Sequence, residues 1–298
     1  MTLTPMPKML KQALEGGYAV GYFEAWDIYS LEAVFEASEE ERSPAILGFG
    51  GMMVDRAWLD NGGVTLLGAV GRSLADRARV PVCLLLNEVP AYEHTLQGMD
   101  VGFNAIMLDT EDLPPQEASE QVKRLVEEAH SRDVAVEAEL GTLPTATLDG
   151  VDRSESVLTD PDEAAAFVAA TGVDCLGVSI GNIHMMTGEM ASVDMERLAA
   201  IHQRVKVPLV IHGGTSFPPE AVPQAIAHGV AKFNVGTVLK KVFLDGVRET
   251  VGGWSDMVDV QAVVGSHNQA DLMAAGKAQM KAKVKELIRL YRSDGKDS

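Results

Sequence analysis

The sequence predicts an α/β protein, a single closed (β/α)8 TIM barrel over residues 1–298 with an N-terminal helix and a long C-terminal helix. Three observations predict it. Short apolar or β-branched runs alternate with amphipathic stretches along the whole chain. There are eight such runs, the number that closes a barrel, and a helix after each makes the strands parallel. The first run ends in Phe-Glu-Ala-Trp-Asp, without the G-x-G-x-x-G loop that opens many open doubly wound sheets.

The elements follow in order. A short helix over about 5–15 precedes the first strand, 19–25. A helix over 28–41 puts Ile28, Leu31, Val34 and Phe35 on one stripe. Strands follow at 44–50, 80–87, 104–109 and 134–141. Residues 116–132 align Val122, Leu125, Val126 and Ala129. Asp160-Pro161 opens a helix over 161–171, with Pro suited to the first helical position. The last strands are 175–181, 208–214 and 231–237. A helical extension from about 250 to 293 closes the chain, with a long helix over 268–293, and the tail after it is expected to fray.

Composition narrows the function. The chain has 25 Lys and Arg against 43 Asp and Glu, a net charge of −18. Nucleic acids and anionic membranes need a basic face, so neither is an expected partner. No apolar run is long enough to span a bilayer, and the N-terminus lacks a secretory signal's apolar core. Cys83 and Cys175 sit in apolar runs and read as buried thiols of a reducing, cytoplasmic compartment.

Barrel chemistry sits at the C-terminal strand ends. Those ends carry Glu24, Gly50, Asn87, Glu88, Asp109, Glu137, Glu139, His184, His212 and the segments 212–216 and 234–237. His184 and His212 follow neighbouring strands about 4.8 Å apart. Two imidazoles so placed can grip one divalent cation, with Glu88 or Glu139 as a third ligand. The alternative is that each His caps a loop. The other five histidines, His94, His130, His202, His228 and His267, read as solvated. Gly213, Gly214, Thr215 and Ser216, with Asn234, Val235, Gly236 and Thr237, precede helix N-termini, where backbone N–H groups suit a phosphate or another anion. Glu137 and Glu139 share one strand face and must meet either a metal or a cation such as Lys232.

These residues resemble the class II, metal-dependent ketose-bisphosphate aldolases (fructose- and tagatose-bisphosphate aldolases). The similarity runs from about residue 7 to 245, through GGYAV (16–20), VEAELG (136–141), IGNIH (180–184), LVIHGG (209–214) and KFNVGT (232–237). The resemblance implies a lyase of carbohydrate metabolism working through a metal-stabilised enediolate. It implies that His184 and His212 bind a divalent metal, zinc first, with Mn, Fe or Co as alternatives. It places dihydroxyacetone phosphate on Gly213–Thr215 and Asn234–Thr237, and a secondary cation site at Asp109 and Glu139. Family habit further suggests a homodimer or homotetramer.

The chain departs from the family at the barrel mouth. Where the family shows H-x-D-H, this sequence has Leu85-Leu86-Asn87-Glu88, so an amide replaces the proton-donating Asp and Glu88 replaces a ligand His. Glu88 is then either a metal ligand or the acid/base, with Glu24 as its partner. The loop over 143–150 lacks the family's catalytic Glu. Met185 replaces a Gly, Glu24 an Asn, and Gly50 a Ser, and the stretch 251–260 lacks a D-P-R motif. The expected function is a divergent metal-dependent aldehyde-lyase acting on a small phosphorylated carbonyl compound. Hydrolysis, epimerisation or enolisation on the same frame, and a non-catalytic binding barrel, are the alternatives.

Overall fold

A computed structural model describes residues 3–147, 150–152, 156–185, 190–255 and 257–297. Eight parallel strands close into a barrel: β1 (Val20–Phe23), β2 (Ala45–Gly50), β3 (Val82–Val89), β4 (Ala105–Leu108), β5 (Ala135–Leu140), β8 (Cys175–Val178), β9 (Leu209–Ile211) and β10 (Val230–Val235). Between β5 and β8 lies an antiparallel hairpin of β6 (Thr145–Thr147) and β7 (Gly150–Asp152).

The helices are α1 (Met6–Gly16), α2 (Ile28–Glu41), α3 (Arg56–Trp58), α4 (Val64–Ala75), α5 (Tyr92–Asp100) and α6 (Pro115–His130). After these come α7 (Pro161–Thr171), α8 (Met195–Arg204), α9 (Val222–Ala227), α10 (Thr237–Gly252), α11 (Val260–Val263) and α12 (Leu272–Leu290). Each predicted strand run carries a barrel strand, and α2 and α7 coincide with their predicted spans. Local chemistry explains the sharp starts. Asp27 and Ser30 form a reciprocal capping box, and the Asp160 carboxylate accepts the N–H groups of Asp162 and Glu163.

Two apolar layers hold the barrel. One lies between strands and helices, with Leu31, Val34, Phe49, Leu84, Ile106, Val136, Leu176 and Ile211 all buried. The other fills the barrel interior with Val20, Tyr22, Ile46, Cys83, Leu85, Ala105 and Val210. Met6, Met9, Leu10 and Ala13 of α1 belong to this inner layer, so α1 plugs the N-terminal mouth and leaves the other end open. Both cysteines are buried free thiols.

Helix α12 fastens the outside. Its Tyr291 stacks on Phe233, with ring centroids 4.5 Å apart. Lys277, Lys281, Lys285 and Arg289 pair with Glu32, Glu36, Glu40 and Glu41 of α2.

Three expectations are corrected. The tail is docked: Ser293 is buried, Gly295 N–H donates to the Glu41 carbonyl at 2.9 Å, and Arg42 pairs with Asp297 at 2.9 Å. His94 is buried, with Nε2 at 2.7 Å from Asp60, because α5 lays it against the turn before α4. The loop over 143–150 contributes a strand of the hairpin, although Leu148 and Asp149 lie outside the described residues. No described helix is long and apolar enough to cross a membrane.

Candidate metal centre and anion cavity

Glu88, Glu139, His184 and His212 each offer a ligand atom, and the four atoms lie within 4.8 Å of one another at the open end of the barrel. The two imidazole centroids are 6.0 Å apart. The sequence pairing of His184 with His212 is thus realised in space. Glu139 joins the same group, whereas Asp109 stands outside it and accepts the N–H of Glu111 at 3.0 Å.

Backbone geometry sets Glu88 in place. Alternation along a strand would send Asn87 and Glu88 to opposite faces. The β3 register instead shifts between Leu86 and Val89, and Glu88 adopts φ +50°. This bulge re-aims the side chain, so both residues face the open end. Asn87 Nδ2 donates to Glu88 Oε2 at 2.5 Å, while Glu88 Oε1 lies 3.1 Å from His212 Nδ1.

His212 is held from behind. Its Nε2 lies 3.0 Å from the buried carboxylate of Glu137 and 2.9 Å from Asn234 Nδ2, which turns Nδ1 toward Glu88 and toward Glu139 at 3.5 Å. Asn234 Nδ2 also reaches Glu137, at 3.3 Å. Lys232, fully buried, pairs with Glu137 at 2.8 Å. Burial alone would raise the Glu137 pKa, but the Lys232 ammonium and His212 outweigh it and hold the carboxyl down at about 2. Lys232 is therefore the partner of Glu137, and Glu139 is left for the centre. Asn182 donates from Nδ2 to the His212 carbonyl at 2.9 Å, tying the β8 and β9 ends together. His184 is fixed by two backbone bonds to the β6 segment, with Pro144 and Ala146. Met185 after it takes φ +57°, the left-handed region that a glycine enters freely. A Cβ at Gly177 would stand 3.2–3.3 Å from Glu139 and His212, so that glycine gives the pair its space.

This donor set fits a divalent cation. Burial pushes the Glu139 carboxyl up to about 7, with Glu88, Glu111 and Glu137 adding to the rise and His212 opposing it. Its Oε1 is buried with no hydrogen-bond partner. Burial also lowers the His184 pKa, favouring the neutral imidazole that a metal needs. Burial would lower the His212 pKa, but Glu139 and Glu88 hold it well above its usual value, and a bound cation would take that proton's place between the two inward carboxylates.

Two cavities meet at this centre and share Met52, Glu88 and His184. The smaller, about 170 Å³, is lined by Tyr22, Glu24, Asn87, Gly213, Thr215, Asn234, Val235, Gly236, Thr237 and Lys240 among others. The larger, about 510 Å³, runs past Asp109, Glu139, Leu140, Leu143 and Phe167. Most predicted anion contacts therefore line the smaller cavity. Gly214 and Ser216 stand behind its wall: the Gly214 N–H is spent on the Asn234 carbonyl at 2.9 Å, and the Ser216 hydroxyl on backbone carbonyls.

Glu24 is paired with Lys240 at 2.6 Å. Gly50 and Gly236 make the room: a Cβ at Gly236 would lie 2.3 Å from Glu24 Oε2, and one at Gly50 3.0 Å from its carboxyl carbon. Lys240 was missed in the sequence. Its signal is the spacing in NVGTVLK, which sets it on the first turn of α10, beside β1 once the barrel closes.

The chain resembles known proteins in sequence and in fold. The sequence pattern described as fructose-bisphosphate aldolase class-II matches residues 4–296. A fructose-bisphosphate aldolase of Geobacillus stearothermophilus is 32% identical over 297 residues, covering 99% of each chain. A probable fructose-bisphosphate aldolase of Bacillus subtilis is 32% identical over 272 residues, covering 91% of this chain and 94% of that one. Among solved structures, the YdjI aldolase of Escherichia coli K12 superposes with a TM-score of 0.81 at 28% identity, covering 100% of both chains.

Proposed function

The chain belongs to the class II fructose-bisphosphate aldolase family, and from that membership we propose a metal-dependent aldehyde-lyase acting on a small phosphorylated ketose or related carbonyl compound. The observation that carries this reading is the convergence of Glu88, Glu139, His184 and His212 within 4.8 Å, beside a cavity lined by Gly213, Thr215, Gly236, Thr237 and Lys240.

His184, His212 and Glu88 would hold the cation, zinc by the balance of two imidazoles and one carboxylate. When bound, the metal supplies Lewis-acid polarisation of the substrate carbonyl. Glu88 suits the ligand role because Asn87 holds its second oxygen. Glu139 suits the acid/base role because its Oε1 has no protein partner and is free to take a proton from the substrate. Asn87 orients and carries no proton. Gly213, Thr215, Gly236, Thr237 and Lys240 bind the phosphate: the glycines admit it closely, and the α10 N-terminus and the ammonium favour its charge. Glu24 positions Lys240 through their ion pair.

The test is release of a triose phosphate from a panel of ketose phosphates by zinc-loaded protein. Release abolished by a chelator and restored by zinc is expected. No release from any member, with any divalent metal, overturns the proposal. Asn87 in place of an acid favours a second reading, enolisation or epimerisation on the same frame. It predicts exchange of a substrate C–H for solvent deuterium without cleavage.

A further inference from the structure

We infer that Tyr22 positions the substrate, its phenolic hydroxyl donating to a ligand hydroxyl in the smaller cavity, with Asn87 Oδ1 as the matching acceptor.

Tyr22 lies on the inward face of β1, beside Asn234 of β10, and its side chain is 2% exposed. Its ring stands over the inner apolar layer, with Lys232 Nζ 5.0 Å from the ring centroid. Its hydroxyl is buried and has no hydrogen-bond partner. Asn87, 1% exposed, commits its Nδ2 to Glu88 but leaves its Oδ1 equally unpartnered. Both residues line the same 170 Å³ cavity.

Buried polar atoms without partners are rare and costly, and each needs an explanation. Phe at position 22 would fill the same apolar space without that cost. Carboxylates of Glu24 and Glu88 line the cavity too, yet the phenol bonds to neither. Both residues thus border one small space, and each holds a polar atom without a protein partner. A hydroxyl both accepts and donates, so hydroxylated carbons complement the pair. The phosphate is met separately, at Gly213, Thr215, Gly236, Thr237 and Lys240. The ligand class is a phosphorylated hydroxy-carbonyl compound whose hydroxyls are read by Tyr22 and Asn87. This inference rests on the reading of the cavity given under Proposed function.

Tyr22→Phe removes one oxygen and leaves the ring in place. Zinc-loaded wild type and variant are titrated calorimetrically with inorganic phosphate and with dihydroxyacetone phosphate, and both are melted. The inference predicts unchanged phosphate affinity, dihydroxyacetone phosphate affinity reduced roughly 10-fold, and a melting temperature equal to or above that of wild type. Undiminished dihydroxyacetone phosphate binding in the variant overturns it. So does a lower melting temperature with both ligands weakened alike, which marks a structural hydroxyl. If wild type binds neither ligand, the anion reading itself fails and this inference falls with it.

Discussion

Glu137 and His212 face each other at 3.0 Å in the barrel interior, and this contact decides which imidazole nitrogen looks toward the open end. With Nε2 set against the carboxylate and Asn234 Nδ2, Nδ1 is presented to Glu88 and Glu139. Outer partners of this kind fix tautomer and ring orientation in metal sites.

Glu137→Gln should therefore weaken metal retention by about 10- to 100-fold while leaving all three proposed ligand side chains intact. It also strands the buried ammonium of Lys232, which should cost on the order of 3–5 kcal/mol. Competitive chelator titration and chemical denaturation measure the two effects. Wild-type zinc affinity in the variant would show that Glu137 does not orient His212.

His212→Ala and His184→Ala should each abolish stoichiometric metal in protein purified without added metal. Wild type should gain about 2.7 kcal/mol of stability at a free metal concentration 100 times its dissociation constant. The alanine variants should gain almost none. Metal analysis and metal-dependent melting curves check this, and equal metal content in all three proteins would remove the proposed centre.

Gly236→Ala should disrupt phosphate binding both at the glycine itself and through Glu24. The new Cβ would meet Glu24 Oε2 at 2.3 Å and push the Glu24–Lys240 pair out of place. Overpacking of this kind costs about 1–3 kcal/mol. The expected kinetic result is a KM for phosphorylated substrate raised roughly 10-fold or more, with metal content unchanged. An unchanged KM would mean that neither Gly236 nor Lys240 contacts the phosphate.

The ladder between α2 and α12 should make stability depend on pH. Hydrogen bonding by Lys285 holds the Glu40 pKa below its usual value, and Arg289 does the same for Glu41. A depressed carboxyl contributes stability above its unfolded pKa, near 4.3. That contribution fades as pH falls through the lower folded value. The double variant Glu40→Gln, Glu41→Gln should be less stable than wild type at pH 7, and the gap should narrow as pH falls below about 4.3 and in high salt. Denaturation over this pH range reads it directly, and a gap that does not change with pH would assign the loss to packing.

Much of the frame was legible in the chain because it rests on local rules. Strand runs, the Asp160-Pro161 start of α7 and the amphipathic stripe of α2 depend on neighbours within a few residues. Strand order then set His184 and His212 side by side, so their pairing could be read from spacing alone. Glu24, Asn87, Glu88 and Glu139 were visible as strand-end polar groups for the same reason.

What the chain by itself determined is the barrel, its open end and the kinds of side chain gathered there. The tertiary structure alone decided their division of labour. The bulge that turns Glu88 inward needs the register against β4, which no local signal encodes. The choice of Glu137 for Lys232, and of Glu139 for the metal group, depends on which groups share buried space across strands far apart in sequence. Docking of the tail on α2, Lys240 against Glu24, and the unpartnered hydroxyl of Tyr22 are likewise long-range contacts. Periodicity reports which face a residue takes, whereas partners and desolvation are fixed only when the barrel closes.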